Sequence, residues 1–147
     1  MTLKISTYIF YLLSLVTIGF GTMYFLRSDI MPYHYSFLQT DSASINAYNP
    51  RIVELMLAFM KIIGSSFVGI GLGVIVVTKM GIAKSKAWAW WTILLTMAFP
   101  LTVTYWITII VSKNIELGPK PPWYLALGMI VLLILGLVLS SKILKKA

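Results

Sequence analysis

Residues 49–80 read NPRIVELMLAFMKIIGSSFVGIGLGVIVVTKM. Asn49 ahead of Pro50 is an N-cap residue followed by proline at the first helical position, where the missing N–H removes no helical hydrogen bond. No breaker interrupts the stretch before about Thr78, which predicts one helix roughly 43 Å long at about 1.5 Å per residue. From Ile62 to Thr78 there is no charge. Such a run suits the roughly 30 Å hydrocarbon layer of a bilayer better than any soluble core. The surplus length requires the helix to tilt, or its first turns, with Arg51 and Glu54, to stand among headgroups or in water.

Three other runs have the same character, and together they predict spans over residues 5–26, 52–78, 88–111 and 123–141, with a polar, aromatic outer loop over 27–51. The first run has a rival reading as a cleaved signal peptide, because Lys4 precedes it and Gly19-Phe20-Gly21 is a small-x-small site. Against that, the run continues through Tyr24-Phe25-Leu26. Pro121-Pro122 is compatible with an extended approach to the last helix, which sets Trp123 and Tyr124 at its start. The composition agrees: 59% of residues are hydrophobic and 11% charged, against about a quarter charged in soluble domains. The expected class is all-α, an integral membrane four-helix bundle forming a single domain over 1–147. No internal repeat is evident.

The charge distribution sets an orientation. Lys4, Lys79, Lys84, Lys86, Lys142, Lys145 and Lys146 fall at one end of the predicted helices; Arg27, Arg51, Lys113 and Lys120 share the other end with all four acids. By the positive-inside rule both termini are cytoplasmic. Trp88, Trp90 and Trp91 then mark the inner interface, and Tyr24, Tyr105, Trp106 and Trp123 the outer one. A net charge of +8 spent on helix ends in this way reads as topology, and no nucleic-acid partner is expected. The absence of cysteine excludes disulfides, thiol redox chemistry and Cys-ligated metals.

Within the spans, Ser65, Gly69 and Gly73 form a small-residue strip against which another helix is expected to press, from the same chain or from a second copy. Gly136 and Ser140 make a shorter strip. Thr92, Thr96, Pro100, Thr104 and Thr108 wind along the third span. They line a polar cavity or, on the simpler reading, bond back to their own helix carbonyls.

Arg51, Glu54, Ala58 and Lys61 share one face of the second helix. A charge at mid-membrane costs at least about 2.5 kcal/mol unless it is paired, hydrated or turned inward, so Lys61 either snorkels to outer headgroups or lines a cavity. Glu54 is either the partner of Arg51 or Lys61 or a titrating carboxylate at a cavity mouth. His34, the only histidine, is a loop contact or, beside Tyr33 and Tyr35, a group able to titrate near neutrality. There is no HExxH, GxSxG or Walker pattern. Asp29, Asp41, Glu54 and Glu116 are the only acids, too few for a metal-dependent transferase site, so no cofactor or metal is expected.

Met31-Pro32-Tyr33-His34, the run Leu55-Met56-Leu57-Ala58-Phe59-Met60-Lys61 followed by Gly64, the Trp88 region and Pro121-Pro122-Trp123 together resemble an uncharacterised group of small four-span bacterial membrane proteins. In architecture the chain is also similar, more distantly, to the DoxX-like proteins. The resemblance implies a bacterial inner-membrane location and supplies no activity, substrate or catalytic residue. Where that pattern tends to have arginine this chain has Lys61, which weakens any role that needs a guanidinium.

These features favour a non-enzymatic protein that binds a lipid, a small hydrophobic molecule or a membrane partner through its outward half. Arg27, His34, Arg51, Glu54, Lys61 and Lys113 are the candidate ligand-binding residues, the cations being offered to anionic headgroups. The partners expected are membrane lipids, with a homodimer or a second membrane protein as further options. One alternative is a small dimeric proton-coupled transporter in which Glu54 exchanges protons with Lys61 as its partner. Another is a membrane-embedded isomerase using Glu54 or His34 to move a proton.

Overall fold

The structure, a computed structural model, describes residues 2–146; Met1, Ala147 and the side chains of Lys145 and Lys146, two of the lysines counted above, lie outside what is described. Four long helices, each long and apolar enough to cross a membrane, dominate it. They are α1 (Thr2–Phe25), α4 (Pro50–Met80), α5 (Ala87–Lys113) and α6 (Trp123–Ser140). Two short helices, α2 (Pro32–Leu38) and α3 (Ser42–Tyr48), occupy the segment read from sequence as a loop. A 3₁₀ turn, Ile82–Lys84, joins α4 to α5, and another, Ser141–Lys146, follows α6.

Local chemistry explains the boundaries. The Asn49 side chain accepts from the Arg51 N–H at 3.0 Å, capping α4, with Pro50 as its first residue. Asp41 caps α3 by accepting from the Ser44 N–H at 2.7 Å. Pro32 starts α2, which ends on Gln39 in the left-handed region.

Around the bundle the order is α4, α1, α6, α5, with only a short contact between α5 and α4 closing the ring. Glycine makes the α1–α4 contact close. A Cβ on Gly21 would lie 2.6 Å from the Gly64 carbonyl oxygen, and one on Gly71 would lie 3.0 Å from the Ser14 carbonyl oxygen. Because Gly21 meets Gly64 while Ser14 meets Gly71, the two helices run antiparallel. On the other side of α1, Ser6 donates to the Gly136 carbonyl at 2.8 Å and the Phe10 ring lies flush against Gly136. Trp90 Nε1 donates to the Leu137 carbonyl at 2.9 Å, fastening α5 to α6.

The Ser65, Gly69 and Gly73 strip is not where the helices of this chain meet. All three residues are exposed, a Cβ on either glycine would meet nothing within 4 Å, and Ser65 bonds to its own helix at Ile62. α4 carries two files of small residues, and the one at Gly64 and Gly71 faces α1.

The buried side chains form two separate clusters. One, at the end bearing the chain termini, includes Phe10, Leu13, Val74, Ile93, Met97 and Leu133. The other, at the opposite or loop end, includes Ile30, Met31, Ile45, Val53 and Met60, with Tyr24, Tyr33 and Tyr35 packed against it.

Candidate functional site

A cavity of about 950 Å³ is lined by all four long helices and by α2. Its walls are files of large apolar side chains at helical spacing. α1 supplies Val16, Phe20 and Tyr24; α4 supplies Phe59, Ile63 and Phe67; α5 supplies Phe99, Val103, Ile107 and Val111; α6 supplies Leu125 and Met129. Residues four apart share a helix face, so each helix turns one stripe inward. α4 is held against α1 by the glycine contact and α5 against α6, which leaves a gap between α4 and α5. The most exposed large apolar residues of the lining are Phe99 (75%), Phe59 (55%) and Ile107 (49%), so the mouth lies between these two helices.

A missing side chain and a missing N–H mark the walls. Gly19 lines the cavity, and a Cβ there would meet nothing within 4 Å. Pro100, also in the lining, lies inside α5 and cannot bond to the Thr96 carbonyl, loosening the helix beside the void. Of the threonine stripe, Thr104 and Thr108 reach the lining. Thr92, Thr96 and Thr108 bond back to the carbonyls of Trp88, Thr92 and Tyr105 at 2.9, 2.7 and 2.9 Å. The walls are therefore mainly apolar.

Polarity is concentrated at the loop end. The Tyr24 and Tyr33 hydroxyls are hydrogen-bonded to each other, and the Tyr33 and His34 rings meet edge-on with centroids 4.4 Å apart. All three residues line the cavity. Burial lowers the pKa of His34 and raises that of Tyr33, so both rings are neutral at pH 7. His34 Nδ1 is buried without a hydrogen-bond partner among the described residues. Asp29 steadies this corner by accepting from the Ile30 N–H and the Tyr35 hydroxyl, both at 2.8 Å.

Of the six residues singled out in the sequence, His34 lines the cavity, while Arg27, Arg51, Glu54, Lys61 and Lys113 are exposed and outside it. Lys61 lies one turn from Gly64 toward Asn49 and so stands level with the last turn of α1, which places it at the loop end of the apolar stretch. In the sequence Tyr24 stands out only as an interface aromatic and Tyr33 only as a neighbour of His34, while Phe67 and Phe99 do not stand out at all; the i, i+4 files of bulky apolar residues on the four long helices are the signal for the walls. Among the described residues no three of His, Asp and Glu come together as a metal site. Comparison of the chain with protein-family models, curated proteins and solved structures gives no match.

Proposed function

We propose that the chain is a four-span protein of the bacterial inner membrane, with both termini cytoplasmic, that takes a lipid-like or small hydrophobic molecule from the bilayer into the cavity between α1, α4, α5 and α6. The observation that carries this reading is the apolar cavity of about 950 Å³ with its mouth between α4 and α5. Ligand sites in proteins are concave, mostly apolar spaces of about 300–1,000 Å³ with a few placed polar groups. A mouth between two membrane helices would face hydrocarbon, where such a ligand is dissolved. The four apolar helices and the lysine-rich end supply the reasons for the location and orientation. Proton-coupled transport puts its chemistry on Glu54, which stands outside this cavity, so binding is the reading the geometry favours.

The test is native mass spectrometry of the protein released from its membrane, comparing wild type with Gly19→Phe and Gly69→Phe. Both glycines face open space, but Gly19 alone lines the cavity. A co-purifying small molecule retained in wild type and Gly69→Phe and lost in Gly19→Phe is the expected result. Equal occupancy in all three would contradict the proposal.

A further inference from the structure

We infer that the cavity selects an uncharged, hydroxyl-headed amphiphile, such as a long-chain alcohol, with its head against Tyr24, Tyr33 and His34 and its chain running toward Met129. This rests on the binding reading above and narrows it to a ligand class.

Three observations lead to it. First, the cavity has one polar end and one apolar end. The two phenols and the imidazole gather where α1 meets α2, whereas Val16, Phe67, Leu101 and Met129 form the far end. From Val16 to Tyr24 is eight residues of helix, a depth of about 12 Å at ~1.5 Å per residue. A single polar head on an apolar chain matches this shape.

Second, among the described residues no formal charge lines the space. The cations at that end, Arg27, Arg51, Lys61, Lys113 and Lys120, are exposed and absent from the lining. An ionised carboxylate or phosphate inside would be desolvated with no counter-charge, a cost of several kcal/mol per ion. Anionic lipids therefore have their partners on the surface and no partner within.

Third, the polar corner has an unmet requirement. The tyrosine hydroxyls bond each other, and because that bond uses one of their two O–H groups the pair keeps one donor and further acceptor capacity at the cavity's polar end, beside the His34 ring. A hydroxyl is both donor and acceptor, so it can accept from the tyrosine O–H that the pair leaves free and donate its own hydrogen to a tyrosine oxygen. A carbonyl only accepts, and an ether lacks the donor. Covering a polar group without pairing it is unfavourable, so a hydroxyl head that meets the tyrosine pair keeps its hydrogen bonds satisfied while a bare alkyl chain leaves them unmet.

The experiment places the full-length protein in phosphatidylcholine nanodiscs and photolabels it with four probes. Each carries the same dodecyl chain with a diazirine near its tail, and they differ only in ending as an alcohol, a methyl ether, a carboxylate held at pH 8, or a plain methyl group. Labelled peptides are mapped by mass spectrometry, and apparent affinity is read from competition by the unlabelled analogue. The alcohol should label the walls around Phe67, Phe99 and Met129 with about tenfold higher affinity than the ether or the alkane, and the carboxylate should be weakest. Tyr33→Phe, which removes one hydroxyl and leaves the ring, should shrink the preference for the alcohol over the ether several-fold without reducing labelling by the alkane. Tyr24→Phe should do the same, and the two variants check each other if one does not fold. Equal labelling of the cavity by alcohol, ether and alkane, or a preference untouched by Tyr33→Phe, would overturn the ligand class and leave the binding reading standing. A preference for the carboxylate would also overturn it. Absence of cavity labelling by every probe would overturn both.

Discussion

Replacing Gly21 with alanine should separate α1 from α4. The new methyl carbon would lie 2.6 Å from the Gly64 carbonyl oxygen, 2.8 Å from the Val68 nitrogen and 2.9 Å from the Phe67 Cβ. Two of these are backbone atoms, which cannot rotate away, so the helices themselves must part. Overpacking of this kind costs about 1–3 kcal/mol, and the better helix propensity of alanine returns about 0.5–1 kcal/mol. The expected net loss for Gly21→Ala is about 1–2 kcal/mol. Gly64→Ala should behave alike, since its methyl would meet the Gly21 carbonyl oxygen at 2.6 Å and the Phe25 nitrogen at 2.7 Å. Because either change opens the same contact, the double variant should lose less than the sum of the two. Gly69→Ala is the internal control: nothing lies within 4 Å of its Cβ, so it should be neutral or stabilised by up to about 1 kcal/mol. Reversible unfolding in mixed micelles, followed by far-ultraviolet circular dichroism, measures all four. If Gly21→Ala proves as stable as Gly69→Ala, the glycine contact does not hold this pair of helices together.

Further expectations concern the loop end and the α5–α6 seam. His34 has its pKa lowered from an ordinary value near 6.5 by burial. As pH falls from about 7 through 6.5, the unfolded chain therefore takes up a proton that the folded ring does not. Stability contributed by the neutral ring is complete above that value and should decline as the solution is acidified toward the lowered pKa; unfolding titrations from pH 7.5 to 5.5 should show this, with a flatter profile for His34→Gln. Asn49→Ala removes the acceptor for the Arg51 N–H and should cost about 0.5–2 kcal/mol, read as a lower unfolding midpoint. Trp90→Phe removes the 2.9 Å bond to the Leu137 carbonyl and should cost about 0.5–1.5 kcal/mol, whereas Trp91→Phe, which is on the exposed side of the same turn, should leave the midpoint nearly unchanged.

The helices were legible because an uncharged run of more than about 18 residues has few folded alternatives, and the start of α4 because Asn49 and Pro50 carry a cap chemistry of their own. α2 and α3 were missed although their local signals were present: Pro32 begins one and Asp41, three residues ahead of Ser44, caps the other. Their brevity hid them beneath the polarity of the segment. The misplaced helix contact has a different origin. Gly64 and Gly71 lie on one side of α4 and Ser65, Gly69 and Gly73 on another, and periodicity alone does not say which side meets a neighbour. The cavity was harder still. Glu54 and Lys61 stand out because charge is conspicuous in an apolar sequence, whereas the walls are built from phenylalanine, isoleucine, valine and methionine that look like any other span. Only the relative rotation of four helices turns those ordinary stripes toward a common space, and that rotation depends on backbone contacts such as Gly21 with Gly64.

If this space admits a chain-like molecule from the bilayer, crystals grown from a lipid phase containing a brominated long-chain amphiphile will show an anomalous bromine peak bounded by Phe20, Phe67, Phe99 and Met129. Bromine confined to the outer surface of the bundle, with α4 and α5 closed on each other at that point, would rule such entry out.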